Sequence, residues 1–222
     1  MRFLASDLSL SNTDPVSSWA ASEGDFSLQQ ASASAQPVFL TSGINSGKSV
    51  HIGGTGNDYF NLRNAADDAD ATITLPADNT NFFMVCQFQS FPLAVIVRHM
   101  TIAQRIYQNT GGVTSQLRFH TSSGYNYASN VFAASTDLWW ECRQYDDGGT
   151  SRIGCIYQED GGSVVTATPT TNTGDLNWDR LGYGAYWSTP NFYLAEILGF
   201  TTALSAGDLT IVQNYLAAQY LP

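Results

Sequence analysis

Sugar chemistry and sugar recognition need different residues, carboxylate pairs for the first and aromatic rings with amides and hydroxyls for the second. Glycosidic hydrolysis takes two carboxylates flanking the scissile bond. The chain has four glutamates, Glu23, Glu141, Glu159 and Glu196, mutually remote in sequence, so no catalytic residue is assigned from them. Recognition has better material. Aromatic rings offer an apolar face on which a sugar ring stacks while neighbouring Asn and Asp bind its hydroxyls. Trp178, Tyr183, Tyr186 and Trp187 gather in a segment that also holds Gly, Asn and Asp, which makes them the candidate glycan- or partner-binding residues. The alternative is that they fill the core or seal an interface with a neighbouring subunit. Trp19, Trp139 and Trp140 stand in core-like runs.

Other motifs carry less. Gly43-Ile-Asn-Ser-Gly-Lys-Ser49 imitates a phosphate-binding loop, but its first glycine is one residue too close and β-like sequence follows where a helix should start. Asp67-Asp-Ala-Asp70 lacks the glycine and terminal glutamate of a calcium loop and reads as a solvated turn. His51, His99 and His120 lack ligand spacing, and no Gly-x-Ser-x-Gly elbow marks a nucleophile. No cofactor is expected and no metal ligand is assigned, with a calcium site at Asp67–Asp70 as the alternative to the solvated turn. Cys86, Cys142 and Cys155 are odd in number and lie in apolar runs, which predicts buried free thiols.

The elements that must position these residues are strands. Between about Val38 and Phe200, short β-like runs alternate with turn residues, and no helical period is sustained long enough for a βαβ unit. The runs are Ser49–Gly53, Asp58–Leu62, Phe82–Phe91, Leu93–His99, Gln116–Thr121, Leu138–Tyr145, Arg152–Glu159 and Phe192–Phe200. Asp146-Asp-Gly-Gly149 and Glu159-Asp-Gly-Gly162 supply hairpin turns, so Leu138 to Val165 predicts a three-stranded meander. Ile153, Cys155 and Tyr157 share one face, with Arg152, Ile156 and Gln158 on the other. Phe192–Phe200 is apolar on both faces, Tyr193, Ala195 and Ile197 opposite Phe192, Leu194, Leu198 and Phe200, which predicts a central strand with Glu196 as its lone charge. The stretch from Ser27 to Gln36 reads as a loop or edge segment. One helix closes the chain: Ser205 as N-cap, Asp208 three residues on, and Leu204 with Leu209 as a hydrophobic staple predict a start that runs to about Gln219. Its apolar stripe is Leu209, Val212 and Leu216, with Tyr215 and Tyr220 less regular.

Composition agrees with an all-β chain, a single domain over residues 1–222. Charged residues are 13% of the chain, against roughly 25% in ordinary domains, and aromatics are 13%. A net charge of −10 repels a phosphate backbone, and the nine Lys and Arg are scattered along the sequence, so nucleic acid is not an expected partner. No apolar run approaches the roughly 20 residues of a membrane span. The Met1-Arg-Phe-Leu-Ala-Ser-Asp7 opening has too short an apolar stretch for a signal peptide, which predicts synthesis in a cytoplasm.

Both ends of the chain resemble a known family. Asp14-Pro-Val-Ser-Ser-Trp19, Gln29-Gln30, Pro37, Gly43-Ile-Asn45, Val50 and Asp58-Tyr-Phe60 are similar to the first strands of concanavalin A-like/laminin G-like domains. Phe192 to Leu198, Ala203-Leu-Ser205, Asp208 and Tyr215 to Tyr220 are similar to their closing strand, capped turn and terminal helix. The resemblance implies an all-β, two-sheet antiparallel jelly-roll sandwich with a short C-terminal helix, whose relatives bind glycans or proteins, often in bacteriophage particles or secreted bacterial proteins. The Glu-x-Asp-x-x-Glu motif of the hydrolytic relatives and the Arg/Gln/His/Tyr signatures of the lyases are missing. Glu196 matches a position usually acidic in the family's last strand and is expected as a buried, satisfied carboxylate. The expectation is therefore a non-catalytic phage virion accessory protein, a capsid decoration or cement assembled as a small homo-oligomer on viral structural proteins, with glycan adhesion as an added role. Tail fibres join such modules to long stalks and this sequence holds only the module, which favours the head. A lectin-like or tail-fibre adhesin is the alternative, and a polysaccharide hydrolase or lyase a further one.

Overall fold

The computed structural model describes residues 1–53, 58–66, 68–90, 94–99, 105–110, 115–121, 124–128, 134–172, 174–183 and 190–221. They form two antiparallel sheets and one α-helix, an all-β sandwich with a C-terminal helix. The first sheet runs, in spatial order, Val165–Thr166, Ser151–Glu159, Asp137–Asp146, Asn79–Phe88, Phe192–Phe200, Ser49–Ile52 and Val38–Leu40. Arg2–Leu4 also pairs with Phe192–Phe200, and Thr170–Thr171 with Ser151–Glu159. The second sheet runs Gly124–Ala128, Ser115–Thr121, Arg105–Thr110, Ala94–Arg98, Arg180–Leu181, Phe60–Asn64, Phe26–Gln29 and Ser18–Ala20. A separate pair joins Ile73–Leu75 to Leu176–Trp178. The chain passes from the first sheet to the second between Leu4 and Ser18, Ile52 and Phe60, Phe88 and Ala94, and Thr171 and Arg180, and back between Gln29 and Val38, Asn64 and Asn79, Ala128 and Asp137, and Leu181 and Phe192, so strands distant in sequence become neighbours.

Most expected strands form within a residue or two of their predicted limits; the predicted ends Phe91 and Leu93 lie outside the described residues. The meander is present, its first turn carried by Gly148 and Gly149 at φ 62° and 87° and its second by Gly161 at φ 70°. Ser27–Gln29 belongs to a strand, and only the residues after it form loop and a 3-10 turn at Ala33–Ala35.

Alternation decides what the sheets bury. Phe82, Met84, Cys86 and Phe88 face the interior between the sheets, together with Trp19, Phe60, Leu117, Phe119, Trp140 and Leu181 from the other strands. The intervening Phe83 and Val85, with Trp139, face the helix. The first sheet is thus apolar on both sides, as central strands covered on both faces must be.

Phe192–Phe200 is central as expected, but its alternation breaks. Leu194 pairs with Cys86 and Glu196 with the adjacent Val85, leaving Ala195 as the extra residue of a bulge. Phe192 and Leu194 face the interior, but beyond the bulge Ile197 does so, and Leu198 lies with Ala195 under the helix. The strict two-residue period read from sequence is corrected at that point. The consequence is that Glu196 is on the helix side rather than in the apolar interior.

The helix spans Ala206–Tyr220. Ser205 caps it, its Oγ accepting from Asp208 N at 3.2 Å and donating to Asp208 Oδ2 at 2.6 Å. Leu204 and Leu209 both pack against the cluster beneath the helix, and Leu216 and Tyr220 are the residues the helix buries.

Candidate functional site

Of the four aromatic residues proposed from sequence, Tyr186 and Trp187 lie outside the described residues. The other two separate. Trp178 is fully buried, its ring 6.0 Å from that of Phe82, so it fills the core and offers no face to a surface ligand. Its short strand alternates Leu176 and Trp178 inward with Asn177 outward, where Asn177 accepts a hydrogen bond from Thr74.

Tyr183 remains half-buried. It follows Gly182, whose φ of +85° is a left-handed conformation suited to glycine, and where a Cβ would stand 2.4 Å from Ile52 Cγ2 and 3.1 Å from Asp58 O. That turn sets the Tyr183 ring edge-on to Tyr59, centroids 4.8 Å apart at 80°. Arg180 lies over both rings, 4.9 Å from Tyr183 and 5.4 Å from Tyr59, and Arg98 lies 5.1 Å from Tyr183. Each such contact is worth about 0.5–1 kcal/mol at an exposed site. Together they offset the repulsion between two like charges on directly opposed residues.

The opposition comes from strand register. Arg180 pairs with Arg98 on one side and with Asn61 on the other; Asn61 pairs with Gln29, and Gln29 with Ser18. Beyond Arg98 the same row continues through Arg105 to His120. Neighbouring positions alternate with buried Leu28, Phe60, Leu62, Leu181, Val97 and Phe119, so Gln29, Asn61, Arg180, Arg98 and His120 belong to the outer face. Arg63 and Arg118 occupy the alternate positions of their own strands, with Leu62, Leu117 and Phe119 turned inward. Five of the nine Lys and Arg residues, Arg63, Arg98, Arg105, Arg118 and Arg180, therefore lie on the strands of one sheet in a chain whose net charge is −10. Cations scattered in sequence are concentrated in space.

Beside Arg180 is a recess of about 190 Å³ lined by Asn61, Leu62, Asp70, Ala71, Thr72, Asp179 and Arg180. Asp70 pairs there with Arg63 at 3.0 Å. Asp58, next to Tyr59, is mostly buried, and that burial pushes its carboxyl above the ordinary value despite a backbone hydrogen bond from Gly53 and the nearby His51.

The buried glutamates do other work. Glu196, fully buried, accepts from Arg2 Nε at 2.7 Å and from the hydroxyls of Tyr215 and Tyr220 at 2.9 Å each. Glu141, equally buried, accepts from Asn81 Nδ2 at 2.6 Å, from Arg143 Nε at 2.9 Å and from Gln213 Nε2 at 3.3 Å. Both bind the helix to the first sheet. Their register places their backbones two strands and two residues apart, roughly 12 Å by strand spacing, and each carboxylate is taken up by its own set of donors. Burial first, and then the Glu196 charge, hold the Tyr215 and Tyr220 hydroxyls above the ordinary tyrosine value.

The remaining sequence motifs have plain structural partners. Gly43–Ser49 forms a 3-10 turn at Ile44–Ser46 leading into a strand, and Lys48 Nζ donates to Ser6 O and Leu8 O at 3.3 and 3.2 Å. His51 Nε2 bonds Asn191 Oδ1 at 2.8 Å. Asp67 lies outside the described residues.

Sequence reasoning found Tyr183 but missed Tyr59, Arg98 and Arg180. The available signal was an aliphatic residue beside each arginine, Val97 and Leu181, but nothing local tells which arginines become neighbours. Compared with known proteins, the chain matches no family model and no curated protein.

Proposed function

We propose that the protein is a non-catalytic recognition module that binds its partner through the outer face of the second sheet. The setting proposed is the one suggested by the resemblance to concanavalin A-like and laminin G-like jelly rolls: an accessory protein of a bacteriophage particle, decorating the capsid as a small homo-oligomer. Attachment to viral structural proteins and the oligomer rest on that resemblance alone. One observation carries the binding role, the concentration of four arginines, Arg63, Arg98, Arg118 and Arg180, and two tyrosine rings on one face of an acidic body. With a Debye length of about 8 Å at physiological salt, such a face attracts anions locally although the whole chain is negative. This favours the adhesive form of the role, contact with cell-surface glycans, over a purely cementing one.

Chromatography on a sulfonate cation exchanger at pH 7 and low salt tests the binding face. The wild-type protein is retained despite its charge, and an Arg98→Ala/Arg180→Ala variant elutes early. A wild-type protein that passes straight through contradicts the reading. Mass spectrometry of purified phage particles tests the setting.

A further inference from the structure

We infer that the ligand of this face is an acidic polysaccharide, a polymer bearing carboxylate or sulfate groups on its sugar rings; the inference rests on the binding role just proposed. Three features of the face converge on that chemistry. The guanidiniums of Arg98 and Arg180, on directly opposed residues, present forked donors that match carboxylate and sulfate oxygens. The rings of Tyr59 and Tyr183, both partly exposed, lie under those guanidiniums and hold them at the surface. The recess beside Arg180 is lined by Asn61, Thr72, Asp70 and Asp179, an amide, a hydroxyl and two carboxylates, which accept from or donate to neutral hydroxyls.

The same recess argues against nucleic acid. Duplex DNA carries a charge for about every 1.7 Å of axis, and two carboxylates within the site of an already acidic protein repel so dense a polyanion. An acidic glycan alternates charge with neutral hydroxyls, as this surface does. The row Ser18–Gln29–Asn61–Arg180–Arg98 crosses the strands at right angles with a step of about 4.8 Å. A linear polymer laid along it meets neutral polar groups at one end and cations at the other.

Affinity electrophoresis through gels containing polygalacturonate, chondroitin sulfate or neutral dextran tests this. At least one acidic polymer retards the wild-type protein, and dextran does not. Arg98→Ala/Arg180→Ala weakens that binding roughly tenfold or more, the loss of two charge-assisted contacts. Arg180→Lys, which keeps the charge and loses the fork, falls between the two. Circular dichroism shows that each variant is folded. The inference is overturned if neither acidic polymer binds, if the double variant is retarded like the wild type, or if a single-stranded oligodeoxythymidine binds more tightly than either polymer. Arginine-dependent retention on the sulfonate resin without polysaccharide binding removes the glycan and leaves the binding face; loss of both removes both.

Discussion

Tyr220 donates its hydroxyl to Glu196 over 2.9 Å, joining the last turn of the helix to the centre of the first sheet. The bond exists because the bulge at Ala195 turns Glu196 to the helix side, where Arg2 and Tyr215 also meet it. A fully buried carboxylate is tolerated because its acceptor sites are matched by an ion pair and two hydroxyl donors.

Glu196→Ala should therefore destabilise the fold by about 3 kcal/mol. That is the lower end of the cost of breaking a buried pair, since Arg2 keeps 33% of its side chain exposed. Urea unfolding of the variant beside the wild type measures it, and a loss well under about 1 kcal/mol would mean the network is decorative.

Alkaline pH attacks the same contact. Because burial and Glu196 raise the Tyr215 and Tyr220 pKa values, the native state holds protons that the unfolded chain gives up near its ordinary value of about 10. Their contribution is complete below about pH 10 and is lost as the pH rises beyond it. The urea midpoint should fall steeply above about pH 10, and Tyr220→Phe, already weaker at neutral pH, should show a shallower fall.

Cys142 stands directly opposite Cys155 on neighbouring strands, and both are buried thiols outside any disulfide, as is Cys86. Burial raises the pKa of the Cys86 and Cys142 thiols and suppresses the reactive thiolate. Ellman's reagent should label none of the three thiols in the native protein and all three in denaturant. Fast labelling of the native protein would place a thiol at the surface.

Much of this architecture was legible in the sequence, and the illegible parts share a cause. Phe82 to Phe88, Ile153 to Tyr157 and the Ser205–Asp208 cap announce themselves through spacing within one element, where side-chain direction follows from the local period. Register between strands is not written locally. Arg98 and Arg180 are opposed only because the chain crosses between sheets before returning, and Tyr59 joins them from a third segment. The Ala195 bulge escaped for a related reason, since an extra residue in an apolar run leaves no compositional mark. Trp178 showed the reverse failure: a ring near turn residues looked presentable but belongs to an inward position of a short strand.

Gly182 links the fold to the site. Gly182→Ala forces a side chain into a left-handed position and against Ile52, at a cost of about 2–3 kcal/mol. Since this turn places Tyr183, anion binding should weaken as well, while Gly148→Ala, at a turn with open space around it, should leave binding unchanged. Thermal unfolding and resin retention measured together check both effects.

The outer face of the second sheet is tested most directly by nuclear magnetic resonance, following the arginine side-chain Nε–H signals as galacturonate oligomers are added. The binding-face account predicts that Arg98 and Arg180 shift first and saturate together, while Arg2 and Arg143, engaged with Glu196 and Glu141, stay in place. Shifts centred on Arg2 and the helix, with Arg98 and Arg180 unmoved, would contradict it.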